Sequence, residues 1–296
     1  MPRLTAADFD PELLELFNRY IHGGLDRRGF LQGAQKFAVG GISAGMLLTA
    51  LSPDYAIGQV VPKDDKRIRT ETVTYASPAG SGTMKGYLAM PANPSGKLPG
   101  VLVIHENRGL NPHIEDIVRR LAVDNFVAFA PDALTPLGGY PGDEEKAAAL
   151  FRTLDQAKTR EDFLAAVTVL GARPEFSGKF GATGFCYGGG IVNMLATRLP
   201  DLGAGVPFYG PAPSAADAAK VKAPLLLHFA ENDTFINPGW PAYETALKAA
   251  NVRYTAHQYA GTGHGFNNDT TPRFNETAAK LAWERTLAFF NQTLRA

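Results

Sequence analysis

The 296-residue chain carries 29 Lys and Arg against 29 Asp and Glu, a formal net charge of zero, and has no basic stripe with interleaved aromatics, so nucleic acid is not an expected partner. Its single cysteine excludes an intramolecular disulfide and a C-x-x-C zinc site, and its six histidines include no H-E-x-x-H spacing, so neither metal nor cofactor is expected. The length suits one catalytic domain behind a short N-terminal extension.

Residues 1–58 stand apart from the rest. Leu25-Asp26-Arg27-Arg28-Gly29-Phe30-Leu31, the apolar glycine-rich run Phe37 to Leu48 and the small-residue site Ala56-Ile57-Gly58 are similar to a twin-arginine export signal, which implies a periplasmic or exported protein. The other reading is a retained helical arm, one helix over Pro11 to Tyr20 and another over Phe30 to Leu51, in a protein of the cytoplasm. An intact glycine-spaced apolar helix is free to pack on the domain or on a second copy, which makes a homo-oligomer an open expectation.

Residues 59–296 read as one α/β domain with no stable membrane span. Thr72 to Ala76 and Lys85 to Met90 alternate as half-buried strands about a Ser-Pro-Ala-Gly-Ser-Gly turn, an antiparallel hairpin at a sheet edge. Short apolar runs follow at 101–104, 127–130, 180–183, 205–208, 225–229 and 254–259. Helical patterns at 114–123, 144–154, 160–170 and 243–250 lie between most of them. That alternation specifies a mainly parallel sheet covered by helices on both faces. Gly138 to Gly142 forms either a lid or a long turn, and a closing helix lies within 271–294, with Ala278, Leu281, Ala282, Leu287 and Phe290 as its apolar positions.

The chemistry centres on Gly184-Phe185-Cys186-Tyr187-Gly188, a G-x-C-x-G pattern between a strand-like and a helix-like run. A strand-to-helix turn of that kind strains the backbone of its central residue, and Gly184, Gly188 and Gly189 supply the room. Asp233 lies where an apolar strand enters a polar loop, and His264 lies in Gly-Thr-Gly-His-Gly-Phe after a further strand. Cys186, Asp233, His264 is the chain order of nucleophile, acid and histidine in α/β-hydrolases. The thiol would attack, His264 would move its proton and Asp233 would set the imidazole tautomer. The backbone N-H groups of Tyr187 and Asn107 are placed to form the oxyanion hole. Taken alone, Cys186 could equally be a small buried hydrophobe.

With Val103-Ile104-His105-Glu106-Asn107-Arg108-Gly109, Ala130-Pro131-Asp132, Phe208-Tyr209-Gly210 and His264-Gly265-Phe266, these residues make the chain resemble the dienelactone hydrolase (carboxymethylenebutenolidase) family of α/β-hydrolases over roughly 70–294. The resemblance implies a hydrolase cleaving a lactone or carboxylic ester of a small molecule through an acyl-enzyme on Cys186. It gives Glu106 the part of contacting the resting thiol and helping it to ionise when substrate binds. The family's two carboxylate-binding arginines have no counterpart after Asp132 or directly after His264. Arg108 and Arg273 are the nearest substitutes. Tyr209, Phe235 and Trp240 are candidates to line the pocket, each with plain packing as its alternative, and His105 reads as a packing residue. The missing arginines favour a general carboxylesterase for neutral esters as the rival reading, and a binding protein with an inert cysteine is the rival of another class.

Overall fold

The computed structural model describes residues 3–296. Helices α1 (Pro11–Ile21), α2 (Arg27–Ala34) and α3 (Ala44–Leu51) come first, followed by one eight-stranded sheet with helices interleaved. Its strands are β1 (Ile68–Ser77), β2 (Gly82–Pro91), β3 (Leu98–Ile104), β4 (Val127–Pro131), β5 (Phe176–Phe185), β6 (Ala204–Phe208), β7 (Leu225–Asn232) and β8 (Tyr254–Gly263), in the spatial order β1-β2-β4-β3-β5-β6-β7-β8. β1 and β2 form the edge hairpin their alternation predicts, β2 pairs antiparallel with β4, and every pair from β4 to β8 is parallel. β3, β4 and β6 are buried along their whole length, which is why they read as continuous apolar runs.

The later helices are α4 (Pro112–Val123), α5 (Glu144–Phe151), α6 (Gln156–Ala165), α7 (Val167–Gly171), α8 (Tyr187–Arg198), α9 (Ala215–Ala218), α10 (Trp240–Ala249) and α11 (Glu276–Leu294). α4 shows how the sequence makes one. Asn111 caps it by accepting from Ile114 N at 3.1 Å, Pro112 occupies the first turn, and Ile114, Ile117, Val118 and Leu121 bury one face at helical spacing. Two cores result, one on each sheet face: Phe129, Phe163, Leu195 and Leu247 belong to one, and Ile117, Phe126, Phe208 and Phe290 to the other. Each such side chain contributes about 1.5–3 kcal/mol by burial.

Two expected helices are divided. The 160–170 pattern becomes α6 and α7, because Val169 N bonds back three residues to Ala166 O and tightens the turn. The helix expected over Phe30 to Leu51 ends at Ala34, and Gly40 and Gly41 at φ +63° and +85° turn the chain before Ser43 caps α3 through Met46 N. After a short 3-10 turn over Gln35–Phe37, that glycine pair takes the left-handed backbone and separates α2 from α3.

Residues 3–58 are folded onto the domain. Leu13, Phe17, Phe30, Leu47, Leu48 and Leu51 make a third small core that joins α1, α2 and α3. The following stretch is tied down: Asp54 N donates to Thr270 O at 2.7 Å, Val60 N and Val61 N donate to the Asp116 carboxylate at 3.0 and 2.9 Å, and Arg120 donates to Gly58 O at 2.9 Å. Arg27 and Arg28 open α2, and Arg27 pairs with Glu145. No helix among the described residues is long and apolar enough to cross a membrane.

Candidate active site

Cys186 joins β5 to α8 with φ 55° and ψ −116°, a region a non-glycine residue occupies at a cost of about 1–3 kcal/mol. The turn is held by Cys186 N donating to Phe208 O at 3.1 Å and Gly190 N donating to Cys186 O at 3.2 Å. The three flanking glycines are required by close approach. A Cβ on Gly184 would lie 2.4 Å from Gly188 O, one on Gly188 2.3 Å from Ile104 O, and one on Gly189 2.7 Å from Phe208 O. The sequence expectation for 184, 188 and 189 therefore has a steric basis.

Asp233 follows β7 and accepts from Phe235 N and Ile236 N, both at 3.1 Å, so its carboxylate is oriented before it meets any side chain. Its other oxygen accepts from His264 Nδ1 at 2.6 Å, and both residues are buried. His264 follows β8. Gly265 at φ +83° turns the chain behind it, and Arg273 Nη1 donates to its carbonyl at 3.1 Å. With Nδ1 taken by Asp233, Nε2 faces the sulfur. Sequence order alone named these three residues, and the fold brings them together.

Burial opposes charge on both the thiol and the ring, but each finds partners that outweigh it. His264 and His22 push the Cys186 thiol below its usual range, while the Cys186 sulfur and Asp233 hold the His264 imidazole above its own. The group whose pKa is depressed is the thiol, so its reactive thiolate persists as pH falls and is lost only below the shifted value. Alkylation of Cys186 by iodoacetamide is expected to stay near its full rate down to about pH 6 and to fall below that. A rate that keeps climbing to about pH 8.5, as for a free thiol, would show an unperturbed cysteine.

His22 belongs to this site, and nothing in the sequence pointed to it. It caps the C-terminus of α1, with Nδ1 bonded to Asn18 O at 2.7 Å. Its Nε2 lies 3.6 Å from Cys186 Sγ and 3.1 Å from His264 Nε2, and its ring stacks on Phe235 with centroids 4.7 Å apart. The three donor atoms of His22, Cys186 and His264 lie within 4.8 Å of one another. The helix itself was legible over Pro11 to Tyr20, but its docking was not.

The other expected residues divide. Glu106 is half-buried at the site, where its carboxylate accepts from Asn268 Nδ2 at 3.1 Å, and the thiol's neighbour on the arm side is His22. Tyr187 N belongs to the first turn of α8, where helix N-H groups have no partner within the helix. Asn107 holds the arm in place, Nδ2 donating to Ile21 O at 2.8 Å. Arg108 donates to Asn107 Oδ1 at 2.7 Å and faces Glu144 at 3.8 Å. Arg273 lies over the Phe17 ring, and its Nε is buried with no partner among the described residues.

Two pocket candidates are corrected. Tyr209 is fully buried behind His264 at 4.9 Å between ring centroids, held at φ +35° by Tyr209 N donating to His228 O, and it reaches neither cavity described below. Trp240 packs against Phe229 and Tyr254 under the loop, not toward the thiol. Phe235 is 61% exposed and does line the site. His105 is the packing residue it was read as, accepting from Ala133 N at 3.1 Å.

Cys186 faces two cavities, and His22 and Asn107 line both. One, of about 70 Å³, is closed by arm residues Phe17, Tyr20 and Ile21 and contains Glu106, Arg108 and Arg273. The other, of about 410 Å³, is lined further by Phe151, Tyr187, Pro211, Phe235 and Ile236 and by the polar Arg152 and Gln156. The second alone has the size usual for a small-molecule site.

A cysteine on a strained strand-to-helix turn, facing an Asp-bound histidine at the carboxyl ends of a mainly parallel sheet, defines an α/β-hydrolase. The model of the dienelactone hydrolase family matches residues 84–294, and the chain belongs to that family. A model described as YqhI-like matches residues 1–39, the segment that carries α1, His22 and α2. A Salmonella typhi protein named "Putative carboxymethylenebutenolidase" is 32% identical over 230 residues, which cover 73% of this chain and 85% of that one. Among solved structures, the dienelactone hydrolase-like promiscuous phosphotriesterase P91 from metagenomic libraries is 26% identical with a TM-score of 0.67, covering 77% of this chain and all but 1% of its own. The dienelactone hydrolase of Anabaena variabilis, at 22% identity and a TM-score of 0.60 over 77% of this chain, shares the fold.

Proposed function

We propose that the protein hydrolyses a lactone or carboxylic ester through a thioester on Cys186. The observation that carries this reading is the continuous line Asp233–His264–Cys186, buried yet open at the sulfur to a 410 Å³ cavity. The Cys186 thiolate adds to the substrate carbonyl, and the oxyanion takes the N-H groups of Tyr187 and Asn107. Collapse of the adduct breaks the C–O bond, and protonated His264 gives its Nε2 proton to the leaving alkoxide. For a lactone that alkoxide stays tethered to the acyl group. Water, deprotonated by His264, then cleaves the thioester and regenerates the thiolate. Asp233 acts as a positioning residue, fixing the tautomer and orientation of His264. Glu106 takes the family's part in ionising the thiol, released from Asn268 when substrate enters.

Arg273 fits the role of carboxylate anchor better than Arg108, whose charge faces Glu144. The 70 Å³ cavity holding Arg273 suits a small charged group beside the reacting carbonyl, with the bulk of the substrate in the larger cavity. A charge-assisted contact is worth about 1.5–3 kcal/mol. Arg273→Ala is therefore expected to raise KM for an anionic lactone by about tenfold or more and to change KM for a neutral ester of similar size little. The apolar lining of the larger cavity supports the second reading, a carboxylesterase for neutral esters. Comparing kcat/KM for the two substrate types in the wild type and in Arg273→Ala decides between them: equal effects on both, with a wild-type preference for the neutral ester, would remove carboxylate recognition. A burst of product with an activated ester tests the acyl-enzyme itself.

A further inference from the structure

We propose that His22 of the arm, Cys186 and His264 together form a binding site for a soft divalent cation such as Zn2+, and that its occupation holds the hydrolase in an inactive, arm-closed form. The site is read from donor geometry and does not depend on the substrate assigned above. His264 Nδ1 is bonded to Asp233 Oδ2 at 2.6 Å and His22 Nδ1 to the Asn18 carbonyl at 2.7 Å. Each bond requires the ring proton on Nδ1, so each neutral ring presents a lone pair at Nε2. Those two Nε2 atoms face each other at 3.1 Å, with the sulfur 3.6 Å from that of His22. Three electron-pair donors thus converge on one volume, and an electrophile, either a proton or a metal ion, has to lie among them.

The spacing suits the metal. With zinc bonds of about 2.3 Å to sulfur and 2.0–2.1 Å to nitrogen, tetrahedral geometry gives edges of about 3.5 Å from sulfur to nitrogen and 3.3 Å from nitrogen to nitrogen. The two edges at His22 come within a few tenths of an ångström of these values. Both histidines carry the backing found in zinc sites, a carboxylate behind one ring and a backbone carbonyl behind the other. One thiolate and two imidazoles form a soft donor set that suits zinc and is poor for magnesium or calcium. All three ligands line the 70 Å³ cavity, and the fourth position is left to water. On binding, the sulfur and both Nε2 atoms become ligands, and the single proton shared between the Cys186 thiol and the His264 ring leaves to solvent. The sulfur is then no longer free to attack, and the arm is bonded to the domain through His22. No contiguous motif announces such a site, because its ligands come from the end of α1, the β5–α8 turn and the loop after β8.

The test uses the full chain, freed of metal by chelation and titrated with Zn2+ in a calorimeter. One ion per chain and about one proton released are expected. Co2+ in place of zinc should give a thiolate-to-cobalt charge-transfer band that Cys186→Ser abolishes. His22→Ala and His22→Gln, the latter retaining a polar side chain at the helix end, should each weaken Zn2+ binding by tenfold or more with an unchanged circular dichroism spectrum. Binding as tight in both His22 variants as in the wild type overturns the arm's part. No stoichiometric binding and no charge-transfer band in the wild type overturn the site outright, and this second measurement decides even where a His22 variant unfolds. Ester turnover by the metal-free enzyme is measured separately, so failure of the hydrolase reading and failure of the metal site give different results.

Discussion

Cys186→Ala is expected to lower kcat by about a thousandfold or more while the domain stays folded. The substitution deletes a single sulfur atom at a position 8% exposed, and alanine meets the same backbone demand as cysteine at φ 55°. The packing loss is therefore small, and the loss of a covalent intermediate is large. Circular dichroism and thermal melting should match the wild type, and the burst with an activated ester should vanish. A folded variant that retains near-normal turnover would remove the sulfur from the reaction.

His264→Ala should be as damaging as loss of the sulfur, because in the proposed reaction one ring both sustains the thiolate and delivers the proton to the leaving group. Asp233→Asn should cost less. The amide can still accept from Phe235 N and Ile236 N, but it withdraws the negative charge from His264 Nδ1 and can favour the wrong tautomer. Groups acting in one step are not additive, so Cys186→Ala combined with His264→Ala should be little slower than either change alone. Losses that add in log kcat would mean that sulfur and imidazole serve separate steps.

The turn around Cys186 was readable because its constraint is local. Close approach of backbone atoms leaves room only for glycine at 184, 188 and 189, and that requirement is written in consecutive residues. The edge hairpin and the buried parallel strands were readable for a similar reason, since a period of two and continuous apolar runs report directly on which faces meet water. Divided helices were harder. A helical apolar period continues across Gly40-Gly41 and across Ala166, where a left-handed backbone or a tightened turn breaks the hydrogen-bond ladder without breaking the pattern.

Pocket assignments by loop position succeeded for Phe235 and failed for Tyr209 and Trp240. Tyr209 directly follows β6 and Trp240 opens α10, and at either place a rotation of the aromatic side chain separates lining a cavity from filling the core. Arg108 and Arg273 illustrate the same limit. Both reach the small cavity, but only the tertiary structure puts Glu144 beside one of them and leaves the Nε of the other without a partner among the described residues.

The sequence by itself determined the fold class, the Cys186, Asp233 and His264 set and the family, because chain order, glycine spacing and burial period are properties of neighbouring residues. Only the tertiary structure decided that residues 3–58 close over the site and that His22 stands 3.6 Å from a sulfur 164 residues away in the chain. The physical reason is that α1 to α3 bury a core of their own, so their amphipathic pattern specifies that they pack but not where the packed unit docks. The docking is set by single long-range contacts, such as Asn107 Nδ2 to Ile21 O and Asp54 N to Thr270 O, which leave no periodic trace in the sequence.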